Sequence, residues 1–149
     1  MNKSIRYLFP AVFSLFLLPY TLTGARNVKS GLEMLGESGF SLLKGKKVGL
    51  ITNPTVIDRN LRSTVDIFHN SPEFELVALF GPDHGVRGDY GAGDYVENYT
   101  DPYTGLPVFS SYGKTRKPSK EMLQGIEILV YDIQDIGSRS YTYISTLGL

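Results

Sequence analysis

Short apolar runs, each stopped by a polar break, constrain this chain more than any other feature. Residues 46–52, 75–80 and 126–132 are rich in aliphatic and β-branched side chains and lack a helical period. That pattern predicts short buried strands, and residues 106–110 form a fourth, shorter candidate. Asn53-Pro54 ends the first run, since proline cannot extend a ladder. The second runs into Gly81-Pro82-Asp83-His84-Gly85-Val86-Arg87-Gly88-Asp89. Three glycines and a proline break regular structure there, and the same nine residues carry two carboxylates, an imidazole and a guanidinium. A loop that only turned the chain would not need that chemistry.

Helical patterns alternate with the runs. Residues 30–44 read as helix, with Ser30 able to cap and Glu33 three positions on, although Gly36 and Gly39 allow two shorter helices. Residues 63–70 carry Val65, Ile67 and Phe68 behind a possible Ser63 cap. Residues 118–124 place Pro118 in a first turn and Gly125 just past the end, and another helix is expected from Tyr141. Residues 89–105 are the least regular stretch, and a loop of that length usually has a function. Alternating strands and helices predict an α/β fold on a parallel sheet with flanking helices. Consecutive parallel strands share a carboxyl edge, where ligands bind in open α/β sheets. Asn53, Asp83, His84, Asp132, Gln134, Asp135 and Arg139 are predicted to meet there.

The 149 residues, 42% hydrophobic, suffice for one domain with a core. A formal charge of +0 gives no support to a nucleic-acid or polybasic membrane partner. The absence of cysteine excludes disulfides, thiolate metal sites and a cysteine nucleophile. Lys3 and Arg6 precede an apolar run over residues 7–18, and Thr23-Gly24-Ala25 supplies small residues for cleavage. Residues 1–25 are therefore expected to be a secretory signal peptide, the alternative being an uncleaved anchor. Export to the periplasm or the medium follows, with no membrane attachment after cleavage. The mature part, 26–149, has thirteen basic and fifteen acidic residues, a net charge of −2. Its last residues fall inside an apolar helical pattern, so it is expected to be the amino-terminal part of something longer.

Each motif has a plainer reading beside it. Gly113-Lys114-Thr115 looks like the tail of a phosphate-binding loop, but Val108 stands where the first glycine is required. No Gly-x-Gly-x-x-Gly follows a strand. Asp83 and His84 can be a cap and a packed side chain, or members of a site. Asp94, Asp132 and Asp135 can join them around a hard cation, although their spacing matches no metal motif. Arg87 and Arg139 are surface charges or forks for a planar anion, which suits a carboxylate-bearing ligand. Tyr90, Tyr95, Tyr99, Tyr103, Tyr141 and Tyr143 crowd the same loops, and such rings suit either sugar faces or packing.

Three segments carry a family resemblance. Val48-Gly49-Leu50-Ile51-Thr52-Asn53-Pro54-Thr55, Phe80-Gly81-Pro82-Asp83-His84-Gly85-Val86-Arg87-Gly88 and Tyr131-Asp132-Ile133-Gln134-Asp135-Ile136-Gly137-Ser138-Arg139-Ser140-Tyr141-Thr142-Tyr143 resemble the NamZ-type exo-β-N-acetylmuramidases. Leu106-Pro107-Val108-Phe109-Ser110-Ser111-Tyr112-Gly113 is similar to that family's short strand and turn. The likeness runs from about Gly31 to the end of the chain. It implies a Rossmann-like amino-terminal catalytic domain, here incomplete and lacking the second domain of the family. It also implies an exported glycosidase that releases N-acetylmuramic acid from non-reducing ends of peptidoglycan fragments, without a cofactor.

On that resemblance Asp83 is the expected general acid, with His84 and Asp135 beside it as catalytic candidates. Asp89, Asp94 or the substrate's own acetamido group are alternatives for the second catalytic role. Asn53, Arg87, Asp89, Gln134, Arg139 and Tyr141 are the expected substrate contacts, Arg87 or Arg139 pairing with the lactyl carboxylate. The family usually carries glutamate where this chain has Asp83. One methylene withdraws the carboxyl by roughly 1.5 Å, a misplacement that can cost about 10²-fold in rate. A non-catalytic wall-sugar-binding fragment and a metal-dependent periplasmic hydrolase are the competing expectations.

Overall fold

The computed structural model describes residues 28–82, 84–91, 94, 96–111, 117–138 and 143–148. The expected signal peptide lies outside the described residues. Helix α1 spans Gly31–Glu37, β1 Lys47–Thr52, α2 Thr64–His69 and β2 Glu75–Gly81. Then come β3 at Tyr99–Thr100, β4 at Pro107–Ser110, β5 at Ile128–Asp132 and α3 at Tyr143–Leu147.

The five strands lie in the order β3-β4-β2-β1-β5. Pairings β1–β2, β1–β5 and β2–β4 are parallel, as expected. The β3–β4 pairing is antiparallel, so the sheet is mixed where a parallel one was expected. The chain turns back at residues 101–106, where the Asp101 amide donates to the Leu106 carbonyl at 2.9 Å. Two-residue β3 thus falls inside the stretch expected to be irregular.

The central strands β1 and β2 form because both their faces are covered. Leu50, Leu79, Val48 and Val108 are buried on one face, together with Val65 and Phe68 of α2. Phe68 packs edge-on to Phe40 and Phe74, with centroids 6.0 and 5.1 Å away. Full burial of such a ring contributes about 1.5–3 kcal/mol. On the other face Ile51, Ala78 and Phe80 are covered by Met122, Leu123 and Ile126.

Helix α1 starts as expected with a Ser30–Glu33 capping box. It stops at Glu37 rather than continuing to residue 44. Gly39 takes φ 64° there, and the turn delivers Phe40 to the core. The helix expected at 118–124 is one turn only. Leu123 donates to the Ser119 carbonyl at 3.2 Å, but Gln124 and Ile126 bond three residues back instead of four. Gly125 at φ 81° ends the turn. Helix α2 begins at its Ser63 cap, as expected.

Candidate functional site

Counted over the parallel strands alone, the spatial order is β4-β2-β1-β5. The chain moves from β1 to one side for β2 and β4, then crosses to the other side for β5. The carboxyl ends of β1 and β5 therefore flank a topological switch point, the crevice where such sheets hold ligands. Thr52 and Asp132 are register partners across it. Asn53 follows β1, His84 follows β2, and Gln134 and Asp135 follow β5, so all four positions lie along one sheet edge. Asp83, Arg139 and Tyr141 lie outside the described residues, as does Tyr95.

The loop after β2 folds tightly back on its strand. A methyl group on Gly81 would stand 3.1 Å from the Gly85 Cα, so the loop backbone would have to give by a few tenths of an ångström to admit it. Gly85 has φ 78°, with the Tyr90 ring 3.0 Å from where its own Cβ would be. Val86 is buried and anchors the loop in the core. The His84 Nδ1 lies 3.1 Å from the Tyr90 carbonyl oxygen. A carbonyl only accepts, so Nδ1 is the donor in that contact. Tyr90 and Tyr99 stack obliquely with centroids 5.6 Å apart, and burial pushes the Tyr99 phenol up. Asp89 is exposed.

Arg87 is engaged differently from its expected role. Its Nε and Nη2 donate to the two oxygens of Asp101 at 2.6 and 3.0 Å, and Nη2 also donates to Asp66 at 2.8 Å. The Asp101 bond, opposed by burial and aided by Asp66, raises the Arg87 pKa further. Burial opposes ionisation of Asp101, yet the Arg87 and Thr104 hydrogen bonds prevail and its pKa falls. Asp66 falls too, chiefly through its bond from Arg87. The fork expected to hold a ligand's carboxylate thus holds two carboxylates of the protein.

At the other strand ends the side chains make local contacts. Asn53 is buried, and its Oδ1 accepts from the Thr55 amide at 3.3 Å and hydroxyl at 2.8 Å. Asp135 accepts from the Gly137 amide at 2.7 Å, while the Gln134 amide nitrogen donates to the Asp135 carbonyl at 3.1 Å. Asp94 accepts from the Gly91 amide at 2.7 Å. Among the described residues, no three His, Asp or Glu side chains gather to hold a metal ion.

Asp132 stands apart. Burial pushes its carboxyl pKa up, against a 2.8 Å hydrogen bond from the Thr64 hydroxyl. It lines a groove of about 610 Å³ walled by Leu32, Leu35, Leu42, Phe68 and Val130. A carboxyl that keeps its proton to higher pH can serve as an acid. Its place at a strand end was visible in the sequence, but the burial that sets its pKa was not. Asp66 and Asp101, the partners of Arg87, went unrecognised. The turn signal of Asp101, Thr104 and Gly105 was present, but nothing local ties that turn to Arg87.

The strand order and the flanking helices define an α/β domain on a mixed, mostly parallel sheet. The chain belongs to the family described as "Exo-beta-N-acetylmuramidase NamZ, N-terminal", whose sequence model matches residues 48–149. It is 53% identical over 121 residues to the peptidoglycan beta-N-acetylmuramidase NamZ of Bacillus subtilis (strain 168), covering 81% of this chain and 29% of that protein. It also superposes, with a TM-score of 0.73 and 61% identity, on the crystal structure of a DUF1343 family protein from Bacteroides fragilis NCTC 9343. That match covers 80% of this chain and 29% of the other. The chain thus spans about three-tenths of the length of these relatives.

Proposed function

We propose that the chain serves an exo-acting glycoside hydrolase that releases N-acetylmuramic acid from the non-reducing ends of peptidoglycan fragments, in wall turnover. The observation that carries this reading is a polar, glycine-shaped loop at the carboxyl edge of the sheet, in a chain closely similar to a peptidoglycan muramidase. Asp83 acts as the general acid on the leaving oxygen, with His84 beside it and Asp135 as the second catalytic candidate. Asn53, Asp89, Gln134 and Tyr141 contribute sugar contacts, and Arg139 pairs with the lactyl carboxylate. Export is part of the proposal: residues 1–25 direct the chain to the periplasm or the medium and are removed.

A second reading, wall-sugar binding without turnover, draws on Asp83 standing where the family resemblance implies glutamate. One experiment separates the two. The purified chain is incubated with a disaccharide bearing N-acetylmuramic acid at its non-reducing end, and free N-acetylmuramic acid is measured by mass spectrometry. Release that Asp83→Asn reduces by about 10²- to 10⁴-fold supports the hydrolase. A substrate with an activated leaving group, which needs little protonation, should suffer less from the same change. Binding without release favours the second reading, and neither binding nor release overturns both.

A further inference from the structure

Arg87 is enclosed rather than presented. Its side chain is 15% exposed and that of Asp101 is 0% exposed. The Tyr103 ring covers the guanidinium at 4.7 Å from its centroid. Asp101 also accepts from the Thr104 amide at 3.0 Å and hydroxyl at 2.7 Å. Two carboxylates already face one guanidinium, so a further anion arriving there would meet net negative charge. A carboxylate ligand gains little at such a place. The cluster instead joins three segments that lie far apart in sequence: the loop after β2, the first turn of α2 and the turn between β3 and β4.

We propose that Arg87, Asp101 and Asp66 form a positioning clamp. It fixes residues 84–90 against α2 and the β3–β4 turn, and so sets where the loop presents its polar groups, His84 among them, at the sheet edge. Recognition of the substrate's carboxylate then falls to another residue. Two adjacent features support this assignment. Val86, the neighbour of Arg87, is itself buried in the core. The two-pronged contact with Asp101 fixes orientation as well as distance. The identity of the ligand rests on the function proposed above, whereas the clamp stands on the contacts alone.

Two readouts on the full chain test it. Amide hydrogen exchange across residues 84–90 is compared among the wild type, Arg87→Lys and Asp66→Asn. Lysine keeps the charge and loses the fork, and Asp66 is half exposed, so both variants should fold. Exchange in the loop should quicken about tenfold or more, the effect of losing a charge-assisted bond, with β1 and β2 unchanged. Affinities for N-acetylmuramic acid and N-acetylglucosamine are measured in parallel. Arg87→Lys should weaken both sugars by a similar factor, because loop shape is what is lost. A loss confined to N-acetylmuramic acid would overturn the proposal and make Arg87 the carboxylate's partner. Unchanged exchange in both variants would overturn the clamp. If the wild type binds neither sugar, the proposed ligand falls, and the exchange data still decide the clamp.

Discussion

The loop after β2 and the segment after β5 leave the same edge of the sheet, on either side of β1, and are held in different ways. The first sends Val86 into the core and Arg87 into a buried ion cluster, and it packs against its own strand through Gly81 and Gly85. The second is more open. Gln134, Ile136 and Gly137 are exposed, and the Asp135 carboxylate accepts from the Gly137 amide two residues along the chain. Both stretches carry the same kinds of polar residue. What separates them is what each returns to the interior, so a polar strand end is rigid only where neighbours in space enclose it. Packed supports of this kind help to hold a catalytic group's geometry.

Paired substitutions can break or sharpen this contrast. The largest difference is expected from removing one carboxylate in each region. Asp101→Ala leaves the Arg87 charge buried with only a half-exposed partner, which should cost about 3 kcal/mol. Asp135→Ala removes one local hydrogen bond and should cost about 1 kcal/mol or less. Urea denaturation midpoints measure both, and equal losses would show that the cluster is not a point of strength. The next difference lies in the glycines. Gly85→Ala meets the Tyr90 ring at 3.0 Å and adopts a left-handed backbone, for a cost of about 2–3 kcal/mol. Gly137→Ala has φ 71° but nothing within 4 Å, so only the backbone term of about 1 kcal/mol applies.

The smallest expected effect depends on pH, and it has opposite signs in the two regions. Arg87 depresses the pKa of Asp66, so the stabilisation is present above the ordinary carboxylate range and is lost as pH falls through the folded value. The Asp132 pKa is raised by burial. Its protonated form is favoured by folding, and that contribution fades as pH rises from the ordinary value through the folded one. Asp132→Asn should therefore match the wild type at low pH and melt higher near neutrality. Asp66→Asn should instead lose stability near neutrality. Melting temperatures from pH 3 to 8 would show whether the two curves diverge in these senses.

The strands were readable because their signals are local: residues 75–80 form a short apolar run without a helical period, closed by Gly81-Pro82. The Ser30 and Ser63 caps were readable for the same reason, each needing only residues within one turn. Legibility failed where structure depends on distant partners. Tyr99–Thr100 is two residues long and is a strand only because β4 lies beside it. The turn at 119–125 has a helix's composition, but its bonds tighten from four residues back to three before Gly125 closes it. Arg87 was legible as a charge beside a strand end, but its partners stand 14 and 21 residues away. Nothing in the spacing announces an ion cluster that the tertiary fold creates.

The central claim is that the ligand sits at the carboxyl edge, between the enclosed loop and the open one. Titration of the isotope-labelled chain with N-acetylmuramic acid, followed through backbone amide shifts, tests it most directly. The expected result is a set of perturbed amides confined to Asn53, Thr55 and residues 84–90 and 133–138, with the open segment moving more than the enclosed loop. Shifts gathered instead at the opposite edge, around residues 45–46, 73–74 and 126–127, would contradict the claim.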